Sequence, residues 1–187
     1  MNSQDTSEVN FSLKGFASIQ IGIYILLAAY LIKQLLQGFL IDDNFVGMLS
    51  VELLEIFVFS IITLTFLLSF LALYFKGKKT AKRNNFKLWN TKTKKNFWLL
   101  VLGFISLLLV LFVLNNKGLT DFITPTFLLL YGLIIFLNKN KKRKDLLLIT
   151  IISLLLGILC MIIPSYWYYA LFILGVSHIT YGVVVKN

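Results

Sequence analysis

Residues 56–75, IFVFSIITLTFLLSFLALYF, run for twenty positions without a charge or a proline. About 20 apolar residues in a helix cross the roughly 30 Å of hydrocarbon in a bilayer, and a run of that length is more than the interior of a small soluble domain accommodates. Five further stretches read the same way: 16–36, 97–114, 122–137, 146–163 and 166–185. The stretch at 122–137 is short and needs a turn borrowed from Asp121 or Asn138 to reach across. A chain in lipid must satisfy its own backbone hydrogen bonds, and the alternating pattern of a barrel strand is missing, so all six are expected to be helices. With 58% apolar and 14% charged residues, little chain remains for a soluble domain. The fold class is therefore all-α: a polytopic transmembrane bundle of six spans in one membrane domain, 16–186, after an N-terminal segment, 1–15.

The net charge of +10 is concentrated. Nine of the 18 basic residues fall in KGKKTAKRNNFKLWNTKTKK, residues 76–95, and five more in KNKKRK, residues 139–144. Short loops rich in lysine and arginine stay on the cytoplasmic side, which puts the loops 76–96 and 138–145, and with an even number of crossings both termini, inside. The opposite connections carry Asp42, Asp43 and Asp121. MNSQDTSEVNFSL has two acidic residues and no basic one, so a cleavable signal is not expected. The glycosylation triplet at Asn10 then falls on the cytoplasmic side. These features point to a bacterial inner membrane. The basic residues Lys78, Lys79, Lys82, Arg83, Lys141, Lys142 and Arg143 suit anionic lipid headgroups, and they leave room for a protein partner or self-association. Phe86 and Trp89 alone give little for bases to stack on, which argues against nucleic acid.

The basic loops divide the spans into three hairpins, 16–75, 97–138 and 146–186, whose leucine-rich runs before a glycine, LLLYGLIIFL and LFILGVSHITYG, suggest a loose threefold repeat. Along the fifth span Thr150, Ser153, Gly157 and Cys160 recur at intervals of three and four, and the sixth has Gly175 and Gly182, seven apart. Lipid supplies no hydrophobic force between helices, so the two small-residue faces are expected to meet each other. Pro164 and Ser165 close this hairpin, and YWYY, residues 166–169, marks an interfacial aromatic belt. The sequence GILCMIIPSYWYYALFILGVSHITYGVVV resembles the last hairpin of the HdeD-like small bacterial membrane proteins, at Gly157, Pro164, Gly175 and Gly182. That resemblance covers about a fifth of the chain, and implies about six spans and a role in acid-stress or envelope physiology. The first hairpin lacks the proline, and the second carries Pro125 inside its fourth span.

Ionisable groups inside spans cost on the order of 3 kcal/mol and are functional candidates for that reason. Lys33, Glu52 and Glu55 lie at similar depth near the outer face, so a Lys33–Glu55 pair is expected; they either snorkel to the interface or form a vestibule for a cation or proton. His178, the only histidine, shares a face with Gly175 and Gly182 and points to the seam. Bonding to Ser153, Thr150 or a carbonyl would make it structural, whereas proton transport would need an acid or a water path beside it. Catalysis is disfavoured. One histidine and one cysteine make no metal cluster, Ser153 and Ser177 have no glycine-framed elbow, and no phosphate-binding glycine loop occurs. No cofactor is expected. The sequence thus favours a small non-enzymatic membrane protein, with a small-solute or proton-linked transporter or channel as the alternative.

Overall fold

The computed structural model describes residues 13, 15–40, 49–83, 89, 91–137 and 146–185. Asp42, Asp43, Phe86 and the second basic loop with Lys141, Lys142 and Arg143 lie outside these residues. The described chain is all-helical, with α1 (Phe16–Phe39), α2 (Val51–Arg83), α3 (Thr91–Asn116), α4 (Ile123–Leu137), α5 (Leu146–Ile162) and α6 (Trp167–Val184). Five of them are long and apolar enough to cross a membrane when α4 and α6 are counted with the 3-10 turns that lead into them, and α5, with 17 residues, is shorter.

The helices pack in the order α2, α1, α6, α5, α4, α3, and aromatic contacts between α2 and α3 close the ring. Residue pairings show that neighbours run antiparallel. On α1 and α6, Ser18 meets His178 while Lys33 meets Tyr168. On α4 and α5, Gly132 lies against Ser153 while Leu129 lies against Gly157. The outward faces are as apolar as the inward ones: Leu67, Leu102 and Leu155 are more than half exposed. A water-facing helix would carry charge there.

Local sequence explains the ends. Pro125 sits in the first turn of α4, where its missing N–H costs no helical bond, and the 3-10 turn Thr120–Phe122 lengthens that short helix. Gly118 turns the chain out of α3 with φ +70, a conformation that side chains resist. The basic stretch after residue 75, expected to be a loop, instead continues α2 to Arg83. It contains no proline, and Lys82 and Arg83 in the last turn complement the negative end of the helix dipole.

The expected seam between α5 and α6 is corrected by the structure. Gly175 and Gly182 face α1: a Cβ on Gly175 would meet Leu26 and the Gly22 carbonyl, and one on Gly182 the Gly15 carbonyl and Ile19. Thr150, Ser153 and Gly157 are buried on the other side of the ring, where Gly157 lies against Leu129 and Ser153 beside Gly132. The reason is that α1 and α4 bring glycines of their own. Gly22 matches Gly175, and Gly132 matches the α5 stripe, so backbones approach most closely between hairpins.

The remaining contact, α2 with α3, is built differently. Phe59 meets Phe112, Phe66 meets Phe104, and Phe70 meets Phe97 and Phe104, with ring centroids 5.0–6.3 Å apart. Side chains of this size hold the two backbones apart, and a space opens behind them.

Candidate functional site

That space is a cavity of about 490 Å³ bounded by α1, α2, α3, α4 and the start of α6. Its volume falls within the roughly 300–1,000 Å³ of ordinary small-molecule sites. Lining positions on α2 extend from Val51 to Leu73, roughly 33 Å of helix at about 1.5 Å per residue, so the chamber runs nearly the depth of a bilayer core. It is narrow for its length.

The two ends differ. Glu55, Asn115, Thr120 and Asp121 gather at one end, beside Trp167. Asn115 Nδ2 donates to Glu55 Oε2 at 2.8 Å, which fixes the carboxylate across the α2–α3 gap. Farther in, the walls are phenylalanine and aliphatic: Phe59, Phe66, Phe70, Phe104 and Phe127, then Leu73 and Leu100 at the far end. Thr65 and Ser69 also line the shaft, but their hydroxyls donate to the carbonyls of Ile61 and Thr65 in their own helix. The shaft therefore offers a ligand almost no polar partner.

At mid-shaft the wall includes Tyr131, which leads to His178. His178 is fully buried, and Tyr131 OH lies 2.7 Å from its Nε2. Ser18 Oγ lies 2.8 Å from the His178 carbonyl and 3.3 Å from Nδ1. Donor accounting orders these contacts. The Ser18 hydroxyl has one hydrogen, which it donates to the carbonyl, so its oxygen accepts from Nδ1–H. In a neutral imidazole Nε2 then accepts from the Tyr131 hydroxyl. Every hydrogen-bonding position of a neutral imidazole is satisfied, and α6 is tied to both α1 and α4.

The other candidates separate. Lys33 does not pair with Glu55: its Nζ lies 4.1 Å from the centre of the Tyr168 ring, because α1 turns that face toward α6. Glu52 is exposed in the first turn of α2 and does not line the chamber. Neither Ser153 nor Thr150 reaches His178, since Ser153 donates to the Leu128 carbonyl of α4 and Thr150 to Leu146 of its own helix. Lys78, Lys79, Lys82 and Arg83 are exposed at the far end of α2. Among the described residues, no group of three metal-ligating side chains exists.

Sequence reasoning missed Ser18, Tyr131, Asn115 and Asp121 as site residues. Tyr131 carried a usable signal: it and His178 each lie six residues before the ends of their helices, Leu137 and Val184, hence at matching depth. Ser18 and Asn115 lie close to helix ends, where polar residues are commonplace. Comparison with protein-family models, characterised proteins and solved structures yields no match.

Proposed function

We propose that the chain is a non-enzymatic membrane protein that holds an amphipathic, membrane-derived molecule in the chamber, its tail along the phenylalanine shaft and its head at Glu55. One observation carries this reading: polar groups gather at a single end of a chamber that is otherwise apolar for nearly the depth of a bilayer. A conduit for water or ions would need polar partners along its length. The fully bonded His178 supports a structural role for that residue, and the buried Cys160 thiol stands apart on α5.

In this reading the shorter α5 also crosses, which brings the spans to six, and the basic ends of the helices face the cytoplasm of a bacterium, with both termini beside them. Lys78, Lys79, Lys82 and Arg83 then lie among anionic headgroups. The resemblance of Gly157, Pro164, Gly175 and Gly182 to the HdeD-like hairpin supports a place in envelope or stress physiology, with the protein self-associating or docking a partner there.

Mass spectrometry of the protein released from lipid nanodiscs tests the chamber. A bound amphiphile is expected with the wild type and not with Thr65→Phe or Ala28→Phe, which fill the shaft. Equal retention by well-folded filled variants would end the proposal. The second reading, a small-solute or proton-linked transporter, draws on the same chamber because it connects Glu55 with Tyr131 and, through it, His178. It requires pH-dependent flux into proteoliposomes that His178→Ala and Glu55→Gln diminish.

A further inference from the structure

We infer that the chamber selects a positively charged occupant: a single-chain amphiphile with an ammonium head. The inference rests on the binding role proposed above and adds the chemistry of the head.

Among the described residues, two carboxylates, Glu55 and Asp121, line the chamber, and no lysine, arginine or histidine does. Of the two cations near this end, Lys33 is stacked on Tyr168, and Lys117, exposed in the turn between Asn115 and Asp121, does not line the chamber. Asn115 bonds Oε2 of Glu55, and among the described residues Oε1 has no protein partner at the head of an apolar shaft. A half-buried carboxylate in such surroundings gains from a counter-charge, whereas a phosphate or carboxylate head would meet like charge. Trp167 lines the same end, and an indole face is the side chain best suited to an alkylammonium. The shaft behind is long, narrow and ringed by phenylalanine, a shape that fits one extended chain better than a compact solute.

The test uses the full chain in nanodiscs of neutral phosphatidylcholine, with probes that share one tail and differ in head: dodecyltrimethylammonium, dodecanol and dodecanoate. Binding is read from Trp167 fluorescence in a Trp89→Phe, Trp98→Phe background, since both of those tryptophans are exposed and neither lines the chamber. Empty nanodiscs correct for partitioning into lipid. The ammonium probe is expected to bind about five-fold or more tightly than the alcohol, the carboxylate least, and added salt should reduce the difference. Glu55→Gln should weaken the ammonium probe about five-fold while leaving dodecanol unchanged, and Asp121→Asn, at an exposed position, should act in the same direction but less.

Equal binding of ammonium and alcohol, or a preference for dodecanoate, overturns the charge selection and leaves the binding role standing. Should no probe bind above the empty discs, both readings fall. If Glu55→Gln does not fold, the salt titration of the unaltered chain and the Asp121→Asn variant still decide the question, a salt-independent preference counting against the inference.

Discussion

Alanine at Gly22 should do more harm than alanine at Gly132. A Cβ there would lie 2.5 Å from the Gly175 carbonyl oxygen and 3.0 Å from the Ile179 nitrogen, both backbone atoms that no rotamer change can move. Restoring an ordinary 3.4 Å contact requires α1 and α6 to part by most of an ångström. The same displacement stretches the Ser18 hydroxyl from the His178 carbonyl, now 2.8 Å away, and breaks its longer contact with Nδ1 at 3.3 Å. Overpacking of this kind costs about 1–3 kcal/mol, and a weakened interhelical hydrogen bond adds roughly 0.6–1.7 kcal/mol. Against that stands the helix preference of alanine over glycine, at most about 1 kcal/mol. The net loss is about 2 kcal/mol, or a fall of roughly 4–8 °C in melting temperature for a chain of this size. Gly132→Ala is the control. Its Cβ would approach the flexible Leu154 side chain at 3.2 Å, and the change should stay within about 1 kcal/mol of wild type. Thermal melts of the purified variants in one detergent decide the matter. If Gly22→Ala melts at or above wild type, or below it by less than Gly132→Ala does, the α1–α6 seam is not the tight contact described.

Tyr131→Phe leaves His178 Nε2 unsatisfied and should cost about 1–2 kcal/mol, yet almost nothing in a His178→Leu background; a thermodynamic cycle with coupling near zero would show that the two side chains do not act together. Ser153→Ala removes the bond to the Leu128 carbonyl and should lower the melting temperature by no more than about 4 °C, since that interaction is worth roughly 1 kcal/mol in a membrane helix pair. Lys33→Gln and Glu55→Gln should be additive in stability within about 0.5 kcal/mol, because the residues do not pair, whereas Lys33→Gln and Tyr168→Leu should couple by about 0.5–1 kcal/mol; the reverse pattern in the two cycles would restore the ion pair expected from sequence.

Helix type and approximate extent were legible because an apolar run without charge has few other solutions in lipid, and Ile56 to Phe75 leaves no choice at all. Partnership was not legible. The stripe Thr150, Ser153, Gly157 and Cys160 says only that something comes close; Gly132 on α4 and Gly175 on α6 present equally small surfaces, and chain proximity favoured the wrong one. The end of α2 was misplaced for a related reason. Hydropathy marks where a helix leaves the hydrocarbon, but Lys78 to Arg83 are good helix formers that continue the same helix. The chamber has the least sequence signal of all. Phe59, Phe66, Phe70 and Phe104 look like lipid-facing residues until the fold sets them against one another, and Asn115 becomes meaningful only when Glu55 is placed across the gap.

The bundle joins two kinds of interface, and the chamber follows from where they meet. Between α1 and α6, and between α4 and α5, glycines bring backbones so close that added atoms meet main chain or half-buried side chains within about 3 Å. The Ser18–His178–Tyr131 bonds tie these two tight pairs together across the ring. From α2 to α3 the contact consists of rings on rings, whose positions depend on side-chain torsions. Separating the glycine seams would forfeit packing along whole helix faces, whereas rotating Phe59, Phe66 or Phe70 breaks ring contacts worth about 0.5–1.5 kcal/mol each. Of these three contacts between hairpins, the wall between α2 and α3 is therefore the least costly to deform, and widening it leaves the His178 cluster intact.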